Sequence, residues 1–302
     1  MAGLRATIAM GRPLFLLGPA LPYLLGVVFA WREEGTVDYG LVIVGWLGVA
    51  AAQLMTHYVN EYFDAEADRA VTTRTPFSGG SGVLAQDLLP RWVALATGLA
   101  WLGIAVGVAM LLHLGLGAGR GVYALFALGI LVGWFYSSPP VALASRGLGE
   151  VATALVVAIL VPVTGHFLQS GGISEVLIAA CLPFALLVFA MMLMVHMPDY
   201  EADRRWGKRT VVVRLGQARA AALYIALLPL GYLAPLGVMG WGLPPAIVAL
   251  LFLTLPIALR NFRALRRGDH LRPERIAGLV AGGVALPVSG GLLELGGMLL
   301  VP

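Results

Sequence analysis

The chain has 302 residues, of which 59% are hydrophobic and only 12% charged, whereas soluble domains carry about 25% charged residues. So few charges cannot coat a water-soluble globule, and the apolar runs reach the ~20 residues that span a bilayer. The net charge of +4 reflects a sorting of arginines among loops, described below, and gives no support to nucleic-acid binding.

In chain order, apolar segments fall at about 13–31, 39–59, 92–113, 121–137, 150–168, 175–197, 219–239, 243–260 and 275–300. They predict an all-α membrane protein with nine transmembrane helices. Arg5 and Arg12 ahead of the first segment resemble a signal peptide, but the run from Pro13 to Trp31 is too long for an h-region and has no clear small-x-small cleavage site. It reads as a retained first span. Glycine, at 39 residues, is nearly twice as frequent as the usual ~7%, which in a membrane points to close helix packing. Cys181 is the only cysteine, so neither an intramolecular disulfide nor a thiolate metal cluster is available.

With the N-terminus placed in the cytoplasm and the spans alternating, every basic residue except Arg32 and Arg120 falls on the cytoplasmic side, as the positive-inside rule requires. The expectation is an integral protein of a prokaryotic inner or plasma membrane, with its C-terminus outside. The two longest loops, about 60–91 and 198–218, then both lie on the cytoplasmic face. They carry an echo: Asp64-Ala65-Glu66-Ala67-Asp68-Arg69 and Asp199-Tyr200-Glu201-Ala202-Asp203-Arg204. Each follows a span with a histidine near its end, His57 or His196, and four spans separate them. One domain, 1–302, with a duplicated four-helix unit at about 13–137 and 150–260 plus a final span accounts for this spacing.

Asn60, Asp64 and Asp68 are spaced at i, i+4 and i+8, and Asp199 and Asp203 repeat the interval, so each set lies on one helical face. Bare carboxylates at this spacing repel, and desolvation near a bilayer adds to the cost. A divalent cation relieves both. Oxygen-only ligands suit Mg²⁺, which takes substrate phosphates to complete its coordination. Two such clusters acting together would hold two Mg²⁺ ions on one diphosphate and stabilise charge on a leaving group. An ion-coupled or Mg²⁺-dependent carrier of an anionic lipid or metabolite is the competing class, but carriers place such acids in mid-span, whereas these stand at helix ends.

These motifs resemble the UbiA-type intramembrane prenyltransferases, nine-helix enzymes with an N-x-x-x-D-x-x-x-D and a second D-x-x-x-D motif in two cytoplasmic loops. Arg12-Pro13, Asn60-Glu61-Tyr62-Phe63-Asp64, the stretch from Phe77 to Leu84, Arg146-Gly147-Leu148-Gly149-Glu150 and Gly207-Lys208-Arg209-Thr210 look most like the menaquinone-pathway branch, the 1,4-dihydroxy-2-naphthoate polyprenyltransferases. Asp68, by contrast, keeps the regular interval common to other branches. The resemblance implies transfer of a polyprenyl group from an isoprenyl diphosphate to an aromatic acceptor, with Asp64, Asp68, Asp199 and Asp203 catalytic and, with Asn60, holding the metal. The favoured acceptor is 1,4-dihydroxy-2-naphthoate; 4-hydroxybenzoate, other phenols, a chlorophyllide and a glycerol phosphate lipid stay open.

The supporting residues each have two readings. Arg74, Arg146, Lys208 and Arg209 flank the acids, and Arg12 is within reach from the first span; their cations suit diphosphate oxygens, or serve only as topology anchors. The stretch from Ser78 to Gly82 is either a phosphate cradle of backbone N–H groups or a plain flexible loop. His57 and His196 are candidates to bind the acceptor or take its proton, against the alternative of hydrogen-bonded interior histidines. Tyr136 offers a ring face to an allylic cation, or is an interfacial anchor.

Overall fold

A computed structural model describes residues 2–300, and they are helical almost throughout. The first segment holds α1 (Ala2–Met10) and α2 (Leu17–Glu34), separated by a break at Arg12, which takes a left-handed φ of 46°, and by a short 3₁₀ turn that begins at Pro13. α3 (Tyr39–Arg69) is 31 residues long, and its N-cap Asp38 accepts a hydrogen bond from Leu41 N–H at 3.0 Å. α4 (Arg91–Met110) and α5 (Gly121–Phe135) follow, and then the broken pair α6 (Gly149–Leu155) and α7 (Val161–Ser170), joined by a π turn at Val156–Leu160. α8 (Glu175–His196) is capped by Ser174, whose hydroxyl accepts from Leu177 N–H at 3.3 Å. The short α9 (Tyr200–Arg205) and α10 (Val211–Leu215) precede α11 (Gln217–Val238). α12 (Pro245–Leu251) and α13 (Leu255–Arg266) are separated by one 3₁₀ turn, and α14 (Pro273–Leu300) ends the chain.

Eight of these helical segments are long and apolar enough to cross a membrane. The exception among the nine expected spans is α5, whose 15 residues rise only about 22 Å. Large apolar side chains such as Ile43, Leu47, Leu131 and Leu233 are all more than half exposed, as a lipid-facing surface requires and as water would not tolerate.

The chain divides into two compact units. One comprises Met1–Ala70, Gly80–Leu143 and Leu160–Ile173. Here α3 packs on α4 and α2 on α7. The second contact depends on two glycines: a Cβ on Gly26 would run into the Pro162 carbonyl, and one on Gly165 into that of Tyr23. We expect Gly26→Ala to lower the melting temperature in detergent, because the overpacking cost of about 1–3 kcal/mol exceeds the ~1 kcal/mol gained in helix propensity. Gly103→Ala, at a position with open space around it, is the control and should leave the melt unchanged or raise it. Equal melts for the two variants would refute this packing argument.

The other unit comprises Val71–Gly79, Ala144–Ile159 and Ser174–Pro302. Its core is built on α8, α11 and α14 around Leu193, Met194, Tyr224, Val280 and Leu286. Buried Asn261 of α13 stitches this core by donating to Tyr224 Oη (2.9 Å) and to the Gly282 carbonyl (2.8 Å).

Candidate functional site

The first acidic motif lies in the last turns of α3, within the first unit. The Asn60 amide donates to Asp64 Oδ2 and to Ser137 Oγ, both at 2.7 Å. Asp64 is buried, so the amide fixes the carboxylate's orientation one helical turn away. The Arg12 guanidinium, freed from helical geometry by the break before Pro13, reaches Glu61 at 2.5 Å and Asn60 Oδ1 at 3.5 Å. Asp64 and Asp68 stand within electrostatic reach of the same cation. Arg12 thus stands at the first motif.

Glu61 carries most of the local order and was not singled out by the sequence reading. It is 2% exposed, and besides Arg12 it accepts from Ser81 N–H (2.7 Å) and Ser81 Oγ (2.8 Å). The loop after α3 is therefore tied back to the motif through this acid. Gly80, at φ 69°, lies so close to Asp68 that a Cβ there would overlap Oδ2, so only glycine lets this backbone pass. Glu61 was visible in the sequence only as a member of the Asn60–Asp64 stretch, with no role attached to it.

His57 stands one turn before Asn60, but both ring nitrogens are engaged: Nδ1–H donates to the Gly11 carbonyl (2.7 Å), and Nε2 accepts from the Gln53 amide (2.8 Å). The ring also meets Phe15 edge-on at 5.8 Å. Both ring nitrogens of His57 thus have partners within the protein. Tyr136 directly follows α5 and precedes Ser137, the partner of Asn60.

The second motif lies in the other unit. Asp199 precedes the first turn of α9, and its carbonyl accepts Asp203 N–H at 2.8 Å, the i+4 bond that stacks the two acids. Asp203 is buried, and Lys208 Nζ stands 3.8 Å from its Oδ1. Asp199 Oδ2 accepts from Gly79 N–H at 3.1 Å, while Oδ1 is buried with no hydrogen-bond partner. Burial, reinforced by the neighbouring Asp203 charge, raises the Asp199 carboxyl to about 6. An orphaned oxygen on a carboxylate crowded by its like is a site that a hard cation would satisfy. The donor set therefore fits a metal, although among the described residues no three His, Cys, Asp or Glu side chains cluster closely enough to enclose one by themselves.

His196, just before this motif, donates from Nδ1 to Glu150 Oε1 (3.0 Å), which also accepts Val211 N–H at 2.7 Å. Glu150 is 0% exposed. It joins the start of α6, the end of α8 and the start of α10, a role that the sequence did not disclose. Of the expected cations, Arg209 donates its backbone N–H to the Ser145 carbonyl (3.0 Å), and Arg214 donates to the Arg146 carbonyl (2.7 Å), so the 144–147 turn is clamped to the 209–214 loop. Arg74 lies on the 71–79 loop that belongs to this unit, with its stem against Gly79.

The chain matches a known family. The model of the UbiA prenyltransferase family matches residues 20–280. The chain is 26% identical over 247 residues to the 1,4-dihydroxy-2-naphthoate octaprenyltransferase of Bacillus subtilis (strain 168), covering 81% of this chain and 77% of that one. It is 28% identical over 255 residues to the homogentisate phytyltransferase of Synechocystis sp. (strain ATCC 27184 / PCC 6803 / Kazusa), covering 80% of this chain and 78% of that one. A UbiA homologue from Archaeoglobus fulgidus, solved bound to GPP and Mg²⁺, shares the fold with a TM-score of 0.66 at 16% identity, over 96% of this chain and 99% of that one. Since the family match runs through nearly all of the helical chain and both acidic motifs, this protein belongs to the UbiA prenyltransferase family and is a membrane prenyltransferase.

Proposed function

We propose that this enzyme transfers a polyprenyl group from its diphosphate to 1,4-dihydroxy-2-naphthoate, giving the prenylated naphthoquinol, the reduced form of demethylmenaquinone, after loss of carbon dioxide. The observation that carries the prenyl-diphosphate part is the second motif, where Asp199 Oδ1 is buried without a partner beside Asp203. The acceptor reading is supported by the similarity to the Bacillus enzyme; the comparable similarity to a homogentisate enzyme makes a different phenol the second reading.

In this reading Asn60, Asp64 and Asp68 would hold one Mg²⁺ ion, and Asp199 and Asp203 would hold a second. The metal, when bound, supplies Lewis-acid neutralisation of charge that develops on the departing diphosphate. The chain does the rest. Arg12, Arg74, Arg146, Lys208 and Arg209 bind the diphosphate oxygens, with guanidinium forks matched to phosphate. Asn60 keeps Asp64 aimed, and Glu61 keeps Arg12 and the Ser81 loop in place. Apolar helices keep water from the allylic cation left by ionisation, with the Tyr136 ring face beside it. The electron-rich acceptor ring attacks that carbon, and His196, oriented by Glu150, is the base we assign to its proton. The α5 segment completes a ninth span, and both motif loops face the cytoplasm; the sorting of arginines supports this orientation.

Two outcomes follow for the metal. EDTA should abolish turnover and Mg²⁺ restore it. Apparent Mg²⁺ affinity should also fall by about tenfold per unit below pH 6, because the metal must displace a proton from Asp199. Without metal the sign reverses. The raised Asp199 carboxyl contributes stability in its protonated form, fully below the ordinary carboxylate range, and loses it as pH rises through about 6. The rise in melting temperature on adding Mg²⁺ should therefore be largest above that value; an increment independent of pH would count against Asp199 as a ligand.

The acceptor is tested by incubating purified protein with Mg²⁺, a prenyl diphosphate and competing 1,4-dihydroxy-2-naphthoate, homogentisate and 4-hydroxybenzoate, with products identified by mass. Prenylated naphthoquinol in excess supports the proposal; exclusive prenylation of another ring overturns its acceptor half.

A further inference from the structure

Helix α13, its connection to α14 and the first turn of α14 are rich in arginine. Residues 255–276 hold six arginines against Asp269 and Glu274, a net charge equal to the +4 of the whole chain. Because the connection joins two segments that are each able to cross the membrane, it must lie at a membrane surface. The sorting of arginines favours the cytoplasmic side for that surface.

The arrangement exceeds what topology alone requires. Asp269, 5% exposed, accepts from Arg275 at 3.1 Å and Arg267 at 3.5 Å, with Arg272 at 3.9 Å. One buried acid thereby holds three guanidiniums whose side chains remain about half exposed or more. Arg263 and Arg266 are exposed and have neither an ion pair nor a side-chain hydrogen bond among the described residues. They continue a single stripe along α13: Leu259, Phe262, Arg263 and Arg266 fall at i, i+3, i+4 and i+7. Leu259 and Phe262 are 47% and 37% exposed. Going toward the helix end, the outward face thus changes from apolar to cationic within about 10 Å, the profile of a phospholipid from acyl chain to phosphate. Asn261, bonded to Tyr224 and Gly282 on the opposite face, fixes the rotation of the helix that presents this stripe.

We propose that this stripe is a binding site for an anionic phospholipid of the cytoplasmic leaflet. The phosphate sits at Arg263 and Arg266, and an acyl chain runs along Leu259 and Phe262. Guanidinium pairs suit a phosphate ester, and the unneutralised positive charge selects a headgroup with net negative charge, such as phosphatidylglycerol, over a zwitterionic one. Basic clusters flanking a span attract such lipids; the pinned arginines and the apolar flank make this one a site.

The test uses the full-length protein, delipidated and offered equal phosphatidylglycerol and phosphatidylcholine, with retained lipid counted by native mass spectrometry. Wild type should prefer phosphatidylglycerol by roughly tenfold or more, and Arg263→Gln/Arg266→Gln should lose most of that preference while keeping prenyl transfer in phosphatidylcholine. A photoactivatable phosphatidylglycerol should label the peptide spanning 259–272 in wild type, a readout that needs no variant. Undiminished preference in the double variant, labelling only elsewhere, or displacement of the lipid by inorganic phosphate would each overturn the proposal; the last would mark a site for soluble anions. None of these outcomes depends on which acceptor the enzyme uses.

Discussion

Asp64→Ala and Asp199→Ala should each lower kcat at least about a hundredfold, the scale of losing one preorganised group that stabilises transition-state charge, while leaving the protein folded in detergent. Asp64 is buried and directed by the Asn60 amide at 2.7 Å, and Asp199 carries an orphaned buried oxygen. Removing the Asp199 side chain relieves its desolvation and the repulsion of Asp203 in the metal-free state, so for that variant the melting temperature without Mg²⁺ should not fall. The stabilisation that Mg²⁺ confers should shrink instead. The double variant should be little worse than either single one, since groups that act as a unit are not additive. Two independent motifs would give multiplied losses, and full activity in either single variant would remove that motif from the mechanism.

Glu61→Ala is the second large effect, and its sign is opposite in the stability assay. Its carboxylate is 2% exposed and satisfies Arg12, Ser81 N–H and Ser81 Oγ together. Arg12 is itself mostly buried, with 18% of its side chain exposed. Breaking a buried pair leaves an uncompensated charge, typically at a cost of about 3–5 kcal/mol. We expect a clear drop in melting temperature together with lost activity. Glu61→Gln, which can still accept from Ser81, should recover part of the stability. A melt for Glu61→Ala equal to wild type would show that the acid does not anchor the loop.

The contrast between these two predictions marks what was legible in the sequence. Helical class, the segments that cross the membrane and the two acidic motifs follow from hydropathy and i, i+4 spacing, which are local patterns. What escaped is long-range or concerns backbone register. Glu61 meets Arg12 from 49 residues away, and Glu150 meets His196 and Val211 at separations of 46 and 61 residues. A single acid in a sequence carries no mark of such partners. His57 and His196 looked alike beside their motifs, yet one has both nitrogens engaged by Gly11 and Gln53 while the other is held through Nδ1 by Glu150. The segment at 150–168 read as one uniform span because hydropathy does not register a change of hydrogen-bond ladder. The chain instead makes a π turn at Val156–Leu160, and the two sides of that turn belong to different compact units. The 71–79 loop likewise groups with the unit of the second motif through Gly79 and Thr73, which bond to Asp199 and Pro198; nothing in its composition announces this.

The central claim, Mg²⁺-assisted prenyl transfer from a diphosphate, is tested most directly by quantifying both products of one reaction. Purified protein is given a prenyl diphosphate and 1,4-dihydroxy-2-naphthoate, with Mg²⁺ or with EDTA, and prenylated ring and inorganic diphosphate are measured together. The account predicts equal amounts of the two with Mg²⁺ and neither with EDTA. Undiminished product in verified metal-free protein, or diphosphate release with no prenylated ring from any acceptor offered, would contradict it.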